Sequence, residues 1–284
     1  MTGRKHCSSH SKFYYALRMY LHRSPRLLRL AFMLRGLLVL GPLRTAFVRY
    51  YKRFPANKPT TDLTVVFPDL NADEIVECIE EHGYARVSNL PETYLNQILA
   101  YCDANNRVRY WNPHKDCEAV ECISRDSQIV EIARKYLGVE PILWLTELKW
   151  TVPRLEDRGN FLSSGYIETE NYAGHSFHYD IHDVKSLTLF VYFTDVDMDS
   201  CPHVLIEGTH KHKTLKQLKD RILDDEVAQQ AYGNRVAAIL GTKGTAFLED
   251  TTSFHKVANG TKSRLMLSLH YVVRRRRPPE PPSQ

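Results

Sequence analysis

Residues 186–206 read SLTLFVYFTDVDMDSCPHVLI, two apolar runs separated by a polar turn. Each run is too short for a globular helix and is rich in Val, Ile, Leu, Phe and Tyr, so both read as buried strands. The texture continues on either side in ILWLTELKWTV (142–152), GYIETENY (165–172), AAILGTKGTAFLED (237–250) and SRLMLSLHYVV (263–273). One late helical stretch, Thr214 to about Tyr232, interrupts these strands.

Upstream of Pro141 the signals are helical. Asn71-Ala-Asp-Glu74 before Ile75, Val76 and Ile79 predicts a capped amphipathic helix that ends at Gly83, followed by a short strand over 84–87. Pro91 to about Cys102, and Ser127 to Leu137 with Gly138, read as two further helices. Helices first and many short strands after them indicate an α+β chain with an antiparallel core, closed as a barrel or jelly roll.

The chemistry concentrates in Gly174-His-Ser-Phe-His178-Tyr-Asp180. In an extended segment positions i and i+2 share a face, so His178 and Asp180 point the same way and supply two ligands of a facial triad. His175 and His182 flank the pair and could stand in for His178, but neither has Asp two residues later. The third ligand should be a distant His, and His255 is the candidate. Asn259-Gly260 is the preferred pair for a two-residue hairpin loop, a register that sets His255 opposite Arg264. A metal ligand beside a guanidinium suits a small dicarboxylate, with one end chelating the metal and the other in the Arg fork. His203, His210 and His212 read as loop or surface groups, and His270 as a satisfied interior histidine.

Over roughly residues 75–273 the chain resembles the phytanoyl-CoA dioxygenase-like family of iron(II)/2-oxoglutarate-dependent oxygenases. The resemblance rests on His178-Tyr-Asp180, on the 187–212 stretch ending in Glu207-Gly-Thr-His210-Lys-His212, and on the spacing from His255 to Arg264. It implies a double-stranded β-helix (jelly-roll, cupin-like) core with flanking helices. It also implies His178, Asp180 and His255 as catalytic Fe(II) ligands, Arg264 as the 2-oxoglutarate contact, and O2 as the second co-substrate. Such an enzyme releases succinate and carbon dioxide as it hydroxylates a C–H bond. The sequence departs from the family where Glu207-Gly-Thr-His210 replaces a Pro-Gly-Ser-His element, and where Met266 stands in place of a hydroxyl.

The 284 residues, 43% hydrophobic and 25% charged, are enough for one large domain and exclude a disordered or disulfide-stapled chain. Residues 1–60 hold 13 Lys and Arg and no acid, and 274–277 are four arginines, so two basic ends flank an acidic body over 61–273. Leu27 to Leu43 is apolar but carries Arg29, Arg35 and Pro42, which argues against a membrane span. Ser24-Pro25 predicts a helix start, and the acid-free mixture of Arg with Leu, Phe and Tyr fits an interfacial helix on anionic lipid. The same composition fits a transit peptide or a basic helix packed on the acidic body. A membrane surface and a small-molecule or lipid-linked substrate are therefore the expected partners; no recognition motif supports nucleic acid. Cys7, Cys78, Cys102, Cys117, Cys122 and Cys201 form no framework and no signal pattern precedes the body, which points to a reducing compartment such as the cytoplasm.

Overall fold

The computed structural model describes residues 61–153 and 176–274, the helix Pro42–Arg53, and residues 30, 33, 34, 36 and 37. The expected strand over 165–172, His175, the helix start at Ser24-Pro25 and the 274–284 tail beyond its first residue lie outside that set. No helix among the described residues is long and apolar enough to cross a membrane.

Helix α1 (Pro42–Arg53) leads into α2 (Ala72–His82), β1 (Tyr84–Arg86), α3 (Glu92–Asn105), β2 (Arg109–Trp111), α4 (Glu118–Ser124) and α5 (Ser127–Leu137). The strand-rich half follows: β3 (Ile142–Thr151), β4 (Phe177–His178), β5 (Ser186–Tyr192) and β6 (His203–Ile206). After these come α6 (Leu215–Asp220), β7 (Ile222–Leu223), α7 (Asp225–Tyr232), β8 (Val236–Ile239), β9 (Ala246–Glu249), β10 (His255–Val257) and β11 (Arg264–Val272). The single late helix expected over 214–232 is two short ones. Arg221 adopts a left-handed conformation that ends α6, and β7 then pairs with β4 before α7 begins.

The strands form two antiparallel sheets. One has six strands in the order β1-β9-β5-β11-β3-β2 and the other five in the order β7-β4-β10-β6-β8. This is the jelly roll that the strand pattern allowed, in the double-stranded β-helix form that the resemblance implies. The period of two assigns the faces of the larger sheet. On β11, Leu265, Leu267, Leu269 and Tyr271 join Ile79, Leu95, Ile129 and Leu137 of the helices in the main core, as do Leu187, Leu189 and Val191 of β5. The alternate residues Arg264, Met266, Ser268 and His270 turn to the opposite face, toward the second sheet. Phe190, Tyr192 and Met266 meet Leu205 and Ile239 of the second sheet in a smaller cluster between the layers.

Helix α2 shows how local signals hold this frame. The Asn71 side chain accepts from the Asp73 and Glu74 amides, and Gly83 closes the helix at φ 91°. A Cβ at Gly83 would collide with the Ser253 hydroxyl and the His210 ring, so glycine is required by space as well as by backbone. The five described cysteines are all free.

Candidate metal centre

His178 ends β4 and His255 begins β10, and the two are direct cross-strand partners in the smaller sheet. Their rings lie 4.5 Å apart. Asp180 follows two residues after His178, tied by its amide to the Thr251 carbonyl at 2.8 Å. One ligand atom from each of His178, Asp180 and His255 falls within 4.8 Å of the others, the one His/Cys/Asp/Glu group of this kind among the described residues.

The imidazoles are oriented alike. His178 Nδ1 lies 2.9 Å from the Ser176 carbonyl, and His255 Nδ1 lies 3.0 Å from the Ser253 carbonyl. A carbonyl only accepts, so each Nδ1 carries a proton and Nε2 is the nitrogen left for a metal, free on neutral His178 and on His255 once it gives up the proton it shares with Asp180. Burial, reinforced by His255, pushes His178 down to about 4. Asp180 lies well below the usual carboxylate range: burial opposes its ionisation, but the hydrogen bond from His255 and the charges of His182 and His178 outweigh it. The same interaction, against burial, lifts His255 to about 9. Two imidazoles and an ionised carboxylate converging from one sheet are a donor set suited to iron(II).

Arg264 is fully buried, and none of its three side-chain nitrogens makes a well-formed hydrogen bond. Its guanidinium stands 5.4 Å from the Tyr192 ring, and burial lowers its pKa. A buried unpaired cation is costly, so an interior that keeps one is built to receive an anion.

The proposed hairpin between His255 and Arg264 does not form. Arg264 pairs with Thr151 of β3 in the larger sheet, whereas His255 pairs with His178 and Leu205 in the smaller one. The Asn259-Gly260 segment is spent on another loop: the Thr261 and Lys262 amides donate to the Asp199 carbonyl, and Ala258 N–H donates to that of Pro202. The chain thus crosses between layers, and the two residues reach the interior from opposite sheets.

Two further groups lie beside the ligands. His203, expected on a loop, sits on β6 with 3% exposure and faces inward with Leu205 by the period of two. Its Nε2 is 2.6 Å from Glu249, which is fully buried and lies 3.5 Å from His255 Nδ1. The His203 and His255 rings stack at 5.4 Å. His203 is within electrostatic reach of both His255 and Arg264, although burial is what chiefly lowers its pKa. Glu249 was legible only as an acid inside the apolar run TAFLED. His210 is also buried rather than on the surface, with Nε2 3.2 Å from the Glu80 carbonyl, while His212 is exposed.

On the open side, His182 Nε2 lies 3.8 Å from Asp180, and His182, His270 and Trp144 form an aromatic cluster with centroids 4.8–6.2 Å apart. Trp144 belongs to β3 where its register with β11 shifts at His270/Tyr271, and that irregularity turns the indole toward the interior. His270 is satisfied as expected, by the Thr188 and Ser268 hydroxyls. Farther along the same face, Ser268 stands opposite Glu147 and Met266 opposite Lys149, with Trp111 and Arg109 next to these on β2. Arg109 pairs with Glu147 and lies 4.2 Å from the Trp111 ring centroid.

No protein-family model matches the sequence, and no curated protein matches it. Solved structures do match the fold. The non-heme α-ketoglutarate-dependent epimerase SnoN of nogalamycin biosynthesis superposes with a TM-score of 0.54 at 13% identity, covering 71% of this chain and 82% of its own. EctD from S. alaskensis with bound Fe gives 0.51 at 15% identity, over 78% and 83%. HygX from Streptomyces hygroscopicus with iron bound gives 0.50 at 13%, over 72% and 87%. The common element is the fold. Identity this low carries the jelly roll and its helices, and the chemistry is argued from the side chains described above.

Proposed function

We propose that the chain is a non-haem iron(II)/2-oxoglutarate-dependent dioxygenase that hydroxylates a C–H bond of an organic substrate. The observation that carries this is the buried Arg264 guanidinium, with Tyr192 beside it but no well-formed hydrogen bond and no acid against it, in the same interior as His178, Asp180 and His255. Bound iron and 2-oxoglutarate would supply the oxygen activation, coupled to loss of carbon dioxide and succinate. The chain's own contribution is placement. His178 and His255 hold their Nε2 atoms toward the metal, Asp180 supplies the anionic ligand, and Arg264 receives the far carboxylate of the co-substrate. With Asp180 filling the third protein position, hydroxylation is favoured over halogenation.

SnoN carries the name of an epimerase, and one structure of it is with Fe3+, α-ketoglutarate and nogalamycin RO. That precedent is compatible with a small organic substrate here. The face of the larger sheet beyond His270 supports the same reading. Arg109, Trp111, Glu147 and Lys149 offer charge, hydrogen bonding and an aromatic plane, suited to a glycan-like or other polar group rather than to a bare acyl chain. A lipid-linked glycan presented at a membrane by residues 1–60 fits both the wall and the basic segment.

The deciding experiment is anaerobic. Iron(II) and then 2-oxoglutarate are added to metal-free protein, and a visible charge-transfer band is sought, with Asp180→Ala as control. A band that needs both additions and is lost or altered in the control supports the reading; folded protein without a band makes the chain a catalytically silent jelly-roll module. Sedimentation with anionic liposomes, full-length protein against a chain starting at Thr61, tests the membrane half. Equal sedimentation of the two removes it.

A further inference from the structure

The loop joining β9 to β10, residues 250–254, touches the ligand set twice. Thr251 accepts from the Asp180 amide, and Ser253 accepts from His255 Nδ1 at 3.0 Å. Its shape depends on Asp250, which is fully buried. One Asp250 oxygen accepts from the Thr252 amide at 3.0 Å and hydroxyl at 2.6 Å; the Asp250 amide donates to the Gly83 carbonyl, and the Ser253 amide returns to the Asp250 carbonyl. The other carboxylate oxygen accepts from Tyr136 of α5 at 2.5 Å and from Arg44 of α1 at 2.6 Å. Arg44 is itself only 15% exposed, so the pair is shielded from water and salt. Helix α1 belongs to the basic, acid-free segment, and Val48 and Tyr51 of the same helix pack on the main core.

We propose that Arg44 is a positioning residue for the metal centre: by neutralising Asp250 it holds the 250–254 loop in the form that orients Asp180 and His255. The basic segment is then a working part of the site, since one of its arginines completes the loop that carries two ligands. The inference rests on the iron-site reading for its functional meaning, but the loop-holding itself is independent of metal. His210 and Lys213 also lie within electrostatic reach of Asp250, but Arg44 is the cation in direct contact with its carboxylate, so losing Arg44 leaves a buried charge under-compensated and strains a loop whose turns hang on it.

The test uses full-length protein and two readouts. In the metal-free state, amide hydrogen exchange is followed at residues 180 and 250–255 in wild type, Arg44→Ala, Arg44→Lys and Arg134→Ala. Arg134 of α5 makes ion pairs with Glu131 on the same helix and with Glu140 just beyond it, and serves as a control for generic loss of a salt bridge. Arg44→Ala is expected to speed exchange at these amides, Arg44→Lys to restore most of the protection, and Arg134→Ala to leave it unchanged. Iron(II) titration should then show Arg44→Ala binding about 10- to 100-fold more weakly, the range for losing a group that orients a ligand.

Unchanged exchange in Arg44→Ala, or equal loosening in Arg134→Ala, overturns the proposal. If Arg44→Ala does not fold, Asp250→Asn decides. In that background no charge needs neutralising, so adding Arg44→Ala should leave loop exchange as it is in Asp250→Asn alone, and a further loosening refutes the coupling. If wild type binds no iron, the functional reading fails while the exchange data still decide the positioning role.

Discussion

The two sheets hold their shape by different means. The larger one has strands as long as β3 and β11, and one face of β11 is fastened to the helices by Leu265, Leu267, Leu269 and Tyr271. Each such side chain is worth about 1.5–3 kcal/mol when fully buried. The smaller sheet puts its ligands on β4 and β10, strands of two and three residues. Strands that short offer few ladder bonds, so beside the apolar cluster of Phe177, Tyr179, Val204, Ile206 and Phe254 they lean on polar contacts: the i−2 carbonyls behind both imidazoles, Glu249 and His203 beside His255, and the Asp250 loop. The frame is held by apolar packing, whereas the strands of His178 and His255 add a few buried charges to theirs. Arg264 shows the two requirements meeting, because the rigid sheet carries a charge it does not itself satisfy.

The comparison breaks most visibly at the ligands. His178→Ala, His255→Ala or Asp180→Ala should reduce iron(II) affinity by two orders of magnitude or more, on the order of 3 kcal/mol, with far-ultraviolet circular dichroism unchanged. Wild-type affinity in any of the three would remove that residue from the centre.

Arg264→Met sharpens the contrast by separating fold from function. Iron binding should persist, and 2-oxoglutarate affinity should fall by roughly 2–3 kcal/mol, the worth of hydrogen bonds to a charged group. The metal-free protein should become more stable, by about 1–3 kcal/mol, because an uncompensated buried charge has been replaced by an apolar side chain. A drop in melting temperature would mean that Arg264 is satisfied in the resting protein.

The ligand strands should also respond to pH. Metal-free His255, raised to about 9, is protonated at neutral pH, and the metal needs it neutral. His178, lowered to about 4, is already neutral there. Binding therefore displaces one proton, and iron(II) affinity should rise about tenfold per pH unit up to pH 9 and flatten above it. Calorimetry in buffers of different ionisation enthalpy counts that proton; a count of zero at pH 7 would contradict the ion pair with Asp180.

The smallest effect belongs to the frame. Asn71→Ala removes a cap from α2 and should cost about 1 kcal/mol of stability with no change in iron affinity. A metal defect in this variant would show that the end of α2 at Gly83 transmits strain to the loop it touches.

Much of this was legible in the chain itself. The caps at Asn71 and Gly83, the helix over 127–137, the long strands at 142 and 264, and His178 with Asp180 on one face all follow from local rules of periodicity and capping. The helix Pro42–Arg53 was not read, because no cap or alternation marks it and its pairing with the body is long-range. The Asn259-Gly260 pair signals a hairpin that does not form, since the carbonyls of Asp199 and Pro202 on a distant loop take the amides of Ala258, Thr261 and Lys262. His203 and Glu249 escaped for a related reason: a polar residue in a short strand becomes interior only when a second sheet covers it.

The sequence by itself determined the elements, the inward-facing period and the candidate pair His178 and Asp180, because those depend on neighbours within a few residues. Only the tertiary structure decided which sheet holds each group, that His178 and His255 are cross-strand partners, and that Arg44 meets Asp250. Those facts are set by burial and charge pairing between segments up to 206 residues apart, and no local pattern encodes them.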